Sequence, residues 1–272
     1  MRRSLFVGAA SLALVATHAA PAAAQATIGW DASVFSSYVW RGLSLTNKPV
    51  LQPDLWISFP VGAAAITVGG WATIDIGKYD GSEDISESGG TSAFNFAEFD
   101  PWAEIAITAG LVTITPGVTA YIYPNKAGIT DDFNTVEVYT KLGLSTILSP
   151  KIAAYYDVDK VKGLYVEGSV SHGIPLGAAS LNLGVLAGFN AGQGVDPDDF
   201  AANFADDGFT HLDISAGIPF SAGSLSINPS VHLVVAGDDF TKVTKPNSTS
   251  DTKLWGGITL SWSHGGGEEE EE

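Results

Sequence analysis

The chain lacks cysteine altogether, has a single methionine, and is poor in positive charge, with 13 lysines and arginines against 30 aspartates and glutamates. Without cysteine there is neither a disulfide framework nor a thiolate metal site. The formal net charge of −17 disfavours nucleic acid as a partner, because phosphate binding needs an excess of lysine and arginine. After Ala24 no apolar run reaches the length of a membrane helix. No Pro- or Ser-rich linker divides the chain, which points to one domain. Hydrolase signatures are missing too. His172 follows Ser171, but strand neighbours face opposite sides. His211 and Ser215 would stand about 13 Å apart in an extended strand, too far for a nucleophile and its base. The sequence therefore reads as non-enzymatic, with no cofactor and no metal site expected.

What is present begins with a basic start, Arg2 and Arg3, an apolar stretch from Leu5 to Ala16, and small residues from Ala22 to Ala26. This is the pattern of a secretory signal peptide, over residues 1–24. The expected barrel domain spans 25–264, and an acidic tail, 265–272, ends in Glu268 to Glu272.

From Ile28 the side chains alternate in kind. Trp30, Ala32, Val34, Tyr38 and Trp40 fall on one face, and Asp31, Ser33, Ser37 and Arg41 on the other. Period two is that of a β-strand. The spacing predicts a first strand reaching Arg41, with Tyr38 and Trp40 on its apolar, lipid-facing side. Val50 to Phe59 repeats the pattern, with Leu51, Leu55, Ile57 and Phe59 opposite Gln52, Asp54, Trp56 and Ser58. The same alternation returns along the rest of the chain, giving about twelve strands, each near the length that crosses a tilted bilayer. Short turns are expected after Phe59, Ile107, Ile147, Ile174 and Ile218. Longer links begin near Arg41, Lys78, Pro124, Ala191 and Gly237, with Asp159 to Gly163 a short exception. The fold class is all-β: a transmembrane antiparallel up-and-down β-barrel, apolar outside and polar inside. Pro101 and Pro116 fall within strands and should interrupt ladder bonding locally.

In Ser36 to Leu55, SSYVWRGLSLTNKPVLQPDL, an aromatic-x-aromatic-Arg-Gly-x-Ser run (Tyr38, Trp40, Arg41, Gly42, Ser44) precedes Pro-x-x-Gln-Pro at Pro49, Gln52 and Pro53. This stretch resembles the TorF-type porins, the Gcw_chp group of bacterial outer membranes. The resemblance implies an outer-membrane barrel with a transport role and supplies no catalytic residues. One departure is the end of the chain: many such barrels finish on an aromatic residue used in assembly, whereas here Trp262 is followed by SHGGGEEEEE.

The polar face is acidic. Asp31, Asp54, Asp75, Glu98, Asp100, Glu104, Glu137, Asp157, Glu167 and Asp213 are expected to point inward, against only Arg41 and Lys141. Uncompensated carboxylates in a narrow wall concentrate cations. Trp56, Trp71, Trp102, Tyr121 and Tyr139 share that face, as do Tyr123, Tyr155, Tyr165 and Trp255, as stacking surfaces, as filler or as interfacial anchors near the rims. Arg41 is expected to be one wall of a constriction or a structural ion pair holding the first and neighbouring strands. Acid clusters at Glu83-Asp84, Asp131-Asp132, Asp196 to Asp199, Asp206-Asp207 and Asp238-Asp239 are expected to be solvated loop residues. The functional expectation is a porin-like channel of the Gram-negative outer membrane for passive passage of small solutes, preferring cations. Its partners would be outer-membrane lipid, small solutes or cations, and the barrel assembly machinery. The alternative is a non-transporting scaffold barrel, and a lipid hydrolase ranks last.

Overall fold

The structure, a computed structural model, describes residues 25–82, 84–86, 92–125, 134–177, 179–193, 204, 207–236 and 252–265. The expected leader, the tail beyond Gly265, and the loop acids Glu83, Asp131, Asp132, Asp196, Asp198, Asp199, Asp206, Asp238 and Asp239 lie outside the described residues.

Strand β1 (Thr27–Phe35) is followed by two short strands, β2 (Tyr38–Trp40) and β3 (Leu43–Thr46). Next come β4 (Val50–Val61), β5 (Ala64–Asp75), β6 (Asn95–Ala109), β7 (Val112–Tyr121) and β8 (Thr135–Leu144). The chain continues through β9 (Lys151–Asp157), β10 (Leu164–Leu176), β11 (Ala179–Ala191) and β12 (Gly208–Gly217). A short β13 (Phe220–Ala222), β14 (Leu225–Ala236) and β15 (Thr252–Gly265) complete it. All except β2, β3 and β13 pair antiparallel with their neighbours in sequence to form a closed barrel of twelve strands. The ring shuts where β1 meets β15, from Thr27↔Gly265 to Phe35↔Gly257. Closure leaves no strand edge unpaired, which lipid requires because it offers the backbone no hydrogen-bond partner.

The alternation accounts for the two surfaces. Val34, Leu55, Ile105, Val118, Ile152, Val185, Ile214 and Ile258 all face out and are exposed, Leu55 by 59 %. An apolar band of that extent belongs in hydrocarbon, not water. Two-residue turns join β4 to β5 and β6 to β7, bracketed by Val61↔Ala64 and Ala109↔Val112, and the β10–β11 ladder runs to Leu176↔Ala179. These lie at one end of the barrel, the turn end; the opposite strand ends, at Asp75, Tyr121, Thr135 and Asp157, mark the loop end. The short link between β9 and β10 at the loop end has a local cause. Asp157 Oδ1 accepts the backbone N–H groups of Asp159, Val161 and Lys162, and Oδ2 accepts the Thr135 hydroxyl.

The prolines act as expected. The β6–β7 ladder is interrupted beside Pro101 and again beside Pro116, where no N–H is available. A register shift opposite Thr73 and Ile74 in β6 buries both Ala97 and Glu98, while Phe96 and Phe99 both remain exposed.

The first strand is where the structure departs from the sequence reading. It stops at Phe35 rather than reaching Arg41, and β2 and β3 form a separate two-stranded sheet. Tyr38 and Trp40 are not on the lipid face. Tyr38 is buried, its hydroxyl donating to Glu98 on β6, and Trp40 stacks against Phe204 and meets Tyr121 edge-on. Side chains of β6 (Glu98), β7 (Tyr121) and β12 (His211, beside Gly42) all reach this one hairpin, so it lies within the lumen.

Candidate functional site: the lumen and its inserted hairpin

The hairpin is shaped by its turn. Arg41 and Gly42 have φ of 48° and 86° and sit between the paired residues Trp40 and Leu43. Two consecutive positive φ values mark a two-residue hairpin turn of the kind whose twist suits the flanking strands. Gly42 is needed twice over, since a Cβ there would also stand 2.6 Å from Cγ of His211. Small hydroxyls tie the base of the hairpin. Ser37 Oγ donates to the Thr46 carbonyl, and the Tyr38 N–H donates to Thr46 Oγ1 at 3.0 Å.

Arg41 is thereby carried across to the far wall. Its Nη1 and Nη2 donate to Oε1 and Oε2 of Glu137 on β8 at 2.9 and 2.6 Å, a two-point fork. Gln193 accepts from Nη1 at 3.2 Å and donates through Nε2 to Glu137 Oε1 at 3.0 Å; Tyr121 donates to Oε2 at 2.7 Å. The guanidinium carbon lies 4.3, 4.7 and 4.4 Å from the ring centroids of Trp40, Tyr155 and Tyr165, within cation–π range. The Arg41 side chain keeps 6 % of its exposure and that of Glu137 keeps 2 %. Burial opposes the positive charge, but Tyr121 and Glu137 more than offset it and hold the guanidinium pKa above its ordinary value. Arg41 forms an ion pair, and it runs from the inserted hairpin to β8 rather than between the first strand and its neighbours.

Around this pair the loop end is filled. Tyr165, Phe204, Gln193, Asp75, Asp157, Glu98 and Glu137 have essentially no solvent exposure, and His211 and Asp100 are buried. Asp75 accepts from Ser86 at 2.7 Å, Tyr38 packs against Trp71 at 5.5 Å, and Tyr155 donates to Glu167 at 3.2 Å. Asp157 belongs to the β9–β10 link described above rather than to an open wall. Gln193 and Phe204 lie in the long link expected to begin near Ala191, and among its first residues only Gln193 carries a side chain able to bridge two acceptors.

Nearer mid-barrel the wall is half-buried. Trp56 donates to Asp31 at 3.3 Å and Trp102 to Asp54 at 3.2 Å, and these two acids face each other across β1 and β4. Tyr139 and Lys141 donate to the same Glu104 oxygen at 2.9 and 3.0 Å. The rings lie along the wall. Trp56, Trp102 and Tyr139 occupy the space where a Cβ on Gly29, Gly69 or Gly117 would stand, at 2.3, 2.5 and 2.3 Å. Two cations must be added to the inward set. Lys253 shares its face of β15 with Trp255, and Lys151 its face of β9 with Ala153 and Tyr155, so Arg41 and Lys141 are not the only positive charges on that face.

The hydrolase reading meets one suggestive feature. His232 Nδ1 contacts Asp213 at 3.1 and 3.2 Å and stacks on Trp255 at 4.2 Å, and Ser215 stands opposite His232 in the ladder. The Ser215 Oγ, however, lies 2.6 Å from the Cβ position of Gly184 on β11, the other side of β12. Among the described residues no hydroxyl is hydrogen-bonded to the His232 ring. No group of three or more metal-ligating side chains occurs among the described residues either.

A model of bacterial proteins of unknown function, Gcw_chp, matches residues 19–255. The chain belongs to the Gcw_chp family. The matched span contains the hairpin, Glu137 and the mid-barrel acids. No curated protein matches this Gcw_chp chain in sequence. Among solved structures, an outer membrane channel from Pseudomonas putida F1 is similar, with 10 % identity and a TM-score of 0.50 over 90 % of this chain and 97 % of that one. The KdgM porin in complex with disordered oligogalacturonate aligns at 9 % identity and a TM-score of 0.45 over 88 % and 99 % of the two chains. The first of these supports the fold and no more.

Proposed function

We propose that this barrel is an outer-membrane channel for passive passage of small solutes, that it prefers cations, and that Asp31, Asp54, Glu104, Asp213 and the rings beside them line its path. Short turns face the periplasm and long loops the exterior in such barrels, which places the inserted hairpin at the outer mouth. The observation that carries the reading is the nature of the donors to the mid-barrel acids. Asp31 and Asp54 each accept from a neutral indole on one oxygen, a partner that carries no positive charge to offset the carboxylate. A wall that keeps net negative charge raises the local cation concentration. The scaffold reading draws on the filled loop end, since a barrel of modest strand number can be packed shut by its own side chains.

Planar-bilayer conductance of the folded protein under a salt gradient tests both. A reversal potential on the cation side supports the channel, and the Asp31→Asn, Asp54→Asn variant should move it toward zero. Charges about 4 Å apart in water interact by about 1 kcal/mol, so the change in selectivity should be no more than several-fold. Folded barrel without conductance would overturn the channel in favour of the scaffold.

A further inference from the structure

Arg41 is held as a ligand is held. Its partners Glu137, Gln193, Tyr155 and Tyr165 belong to the wall and its loops, whereas β2 and β3 form no ladder with the barrel. With the arginine side chain removed, those groups leave a carboxylate with both oxygens aligned for a fork, an amide oxygen beside it, and two aromatic faces at cation–π distance. That set matches the planar, multi-donor guanidinium and matches a compact ammonium less well. The carboxylate is independently positioned, because Tyr121 and the Gln193 amide both donate to it. Gln193 is itself anchored to the Gly163 carbonyl at 3.1 Å. The receptor is thus built from the wall, and the hairpin is its occupant.

We propose that the loop-end cage of Glu137, Gln193, Tyr155 and Tyr165 is a binding site for guanidinium-bearing organic cations, occupied in this state by the chain's own Arg41. A free guanidinium compound competes with Arg41 for the cage, and its binding releases the hairpin. This inference deepens the channel reading by naming a class of solute, and it rests on that reading only for its physiological use.

The test uses methylguanidinium at sub-denaturing concentration and follows the melting of the barrel through its heat-dependent gel mobility. In Arg41→Ala the ligand should raise the melting temperature along a saturating curve. The rise should vanish in Arg41→Ala, Glu137→Gln. Methylammonium should require about tenfold higher concentration, the loss expected when a two-point charged hydrogen bond becomes one. Equal shifts in the single and double variants, or no shift in either, would overturn the site. Should Arg41→Ala fail to fold, Arg41→Lys keeps a positive charge in the lumen and permits the same titration, with weaker apparent binding expected and an absent response counting against the proposal. Because melting rather than current is read, a silent bilayer leaves this site standing, and absent binding leaves the channel standing.

Discussion

Two ion pairs in the same lumen sit in different worlds. Arg41 and Glu137 at the loop end keep 6 % and 2 % of their side-chain exposure and meet at two points. Lys141 and Glu104, nearer mid-barrel, meet at one point of 3.0 Å and keep 42 % and 22 %. The first pair has lost its water, so each partner depends on the other. The second retains water and can separate at little cost. The difference assigns the two regions different work: the loop end holds an inserted hairpin in place, and the mid-barrel wall carries charge in contact with solvent.

The largest effect should come from breaking the buried pair. Glu137→Ala strands a desolvated guanidinium, a change that costs roughly 3–5 kcal/mol when the structure cannot yield. Here it can yield, because β2 and β3 are joined to the barrel by packing, loop contacts and a few side-chain bonds rather than by a ladder. The expected result is expulsion of the hairpin, with higher single-channel conductance and a nearly unchanged barrel melting temperature. Unaltered conductance would show that the hairpin is held by Tyr38, Trp40 and Leu43 without the pair.

A smaller effect should follow from straining the turn while leaving the pair's atoms in place. Gly42→Ala puts a Cβ 2.6 Å from His211 at a φ of 86°. The left-handed conformation costs an ordinary residue about 1–2 kcal/mol, and the contact with a ring held by the wall adds to it. Conductance should rise to a value between wild type and Glu137→Ala. A variant matching wild type would mean that His211 moves aside, a motion that a loss of its contact with Thr210 (3.1 Å) would reveal.

Most of the barrel was legible because period-two alternation is a local signal, and closure follows once every strand has an apolar outer face. Val34, Leu55 and Phe59, read as apolar-face residues from the alternation, are exposed on the outside of the barrel. The hairpin was hidden for the same reason. Tyr38, Val39, Trp40 and Arg41 alternate as a lipid-crossing strand does, and an aromatic residue suits a membrane interface as well as a packed lumen. Only Gly42 marks the turn, since Arg41 is not a residue that favours positive φ. Glu137, the partner that decides where Arg41 goes, lies 96 positions away, and no local pattern announces a contact across a barrel. The β6 bulge was missed on similar grounds, because Ala97 and Glu98 differ in polarity and read as opposite faces.

The smallest structural effect should come from the exposed pair, and there stability and selectivity should part company. Lys141→Ala leaves Glu104 with its bond from Tyr139 at 2.9 Å and with access to water. Solvated pairs contribute about 0–1 kcal/mol, so barrel melting should barely move. The deletion nonetheless removes one of the few positive charges facing the lumen, and the reversal potential should shift in the cation-selective direction relative to wild type. In Glu137→Ala the hairpin and the conductance change together; in Lys141→Ala the charge changes and the shape does not. A Lys141→Ala barrel that melts much earlier at unchanged selectivity would reverse the assignment and make the mid-barrel pair the structural one.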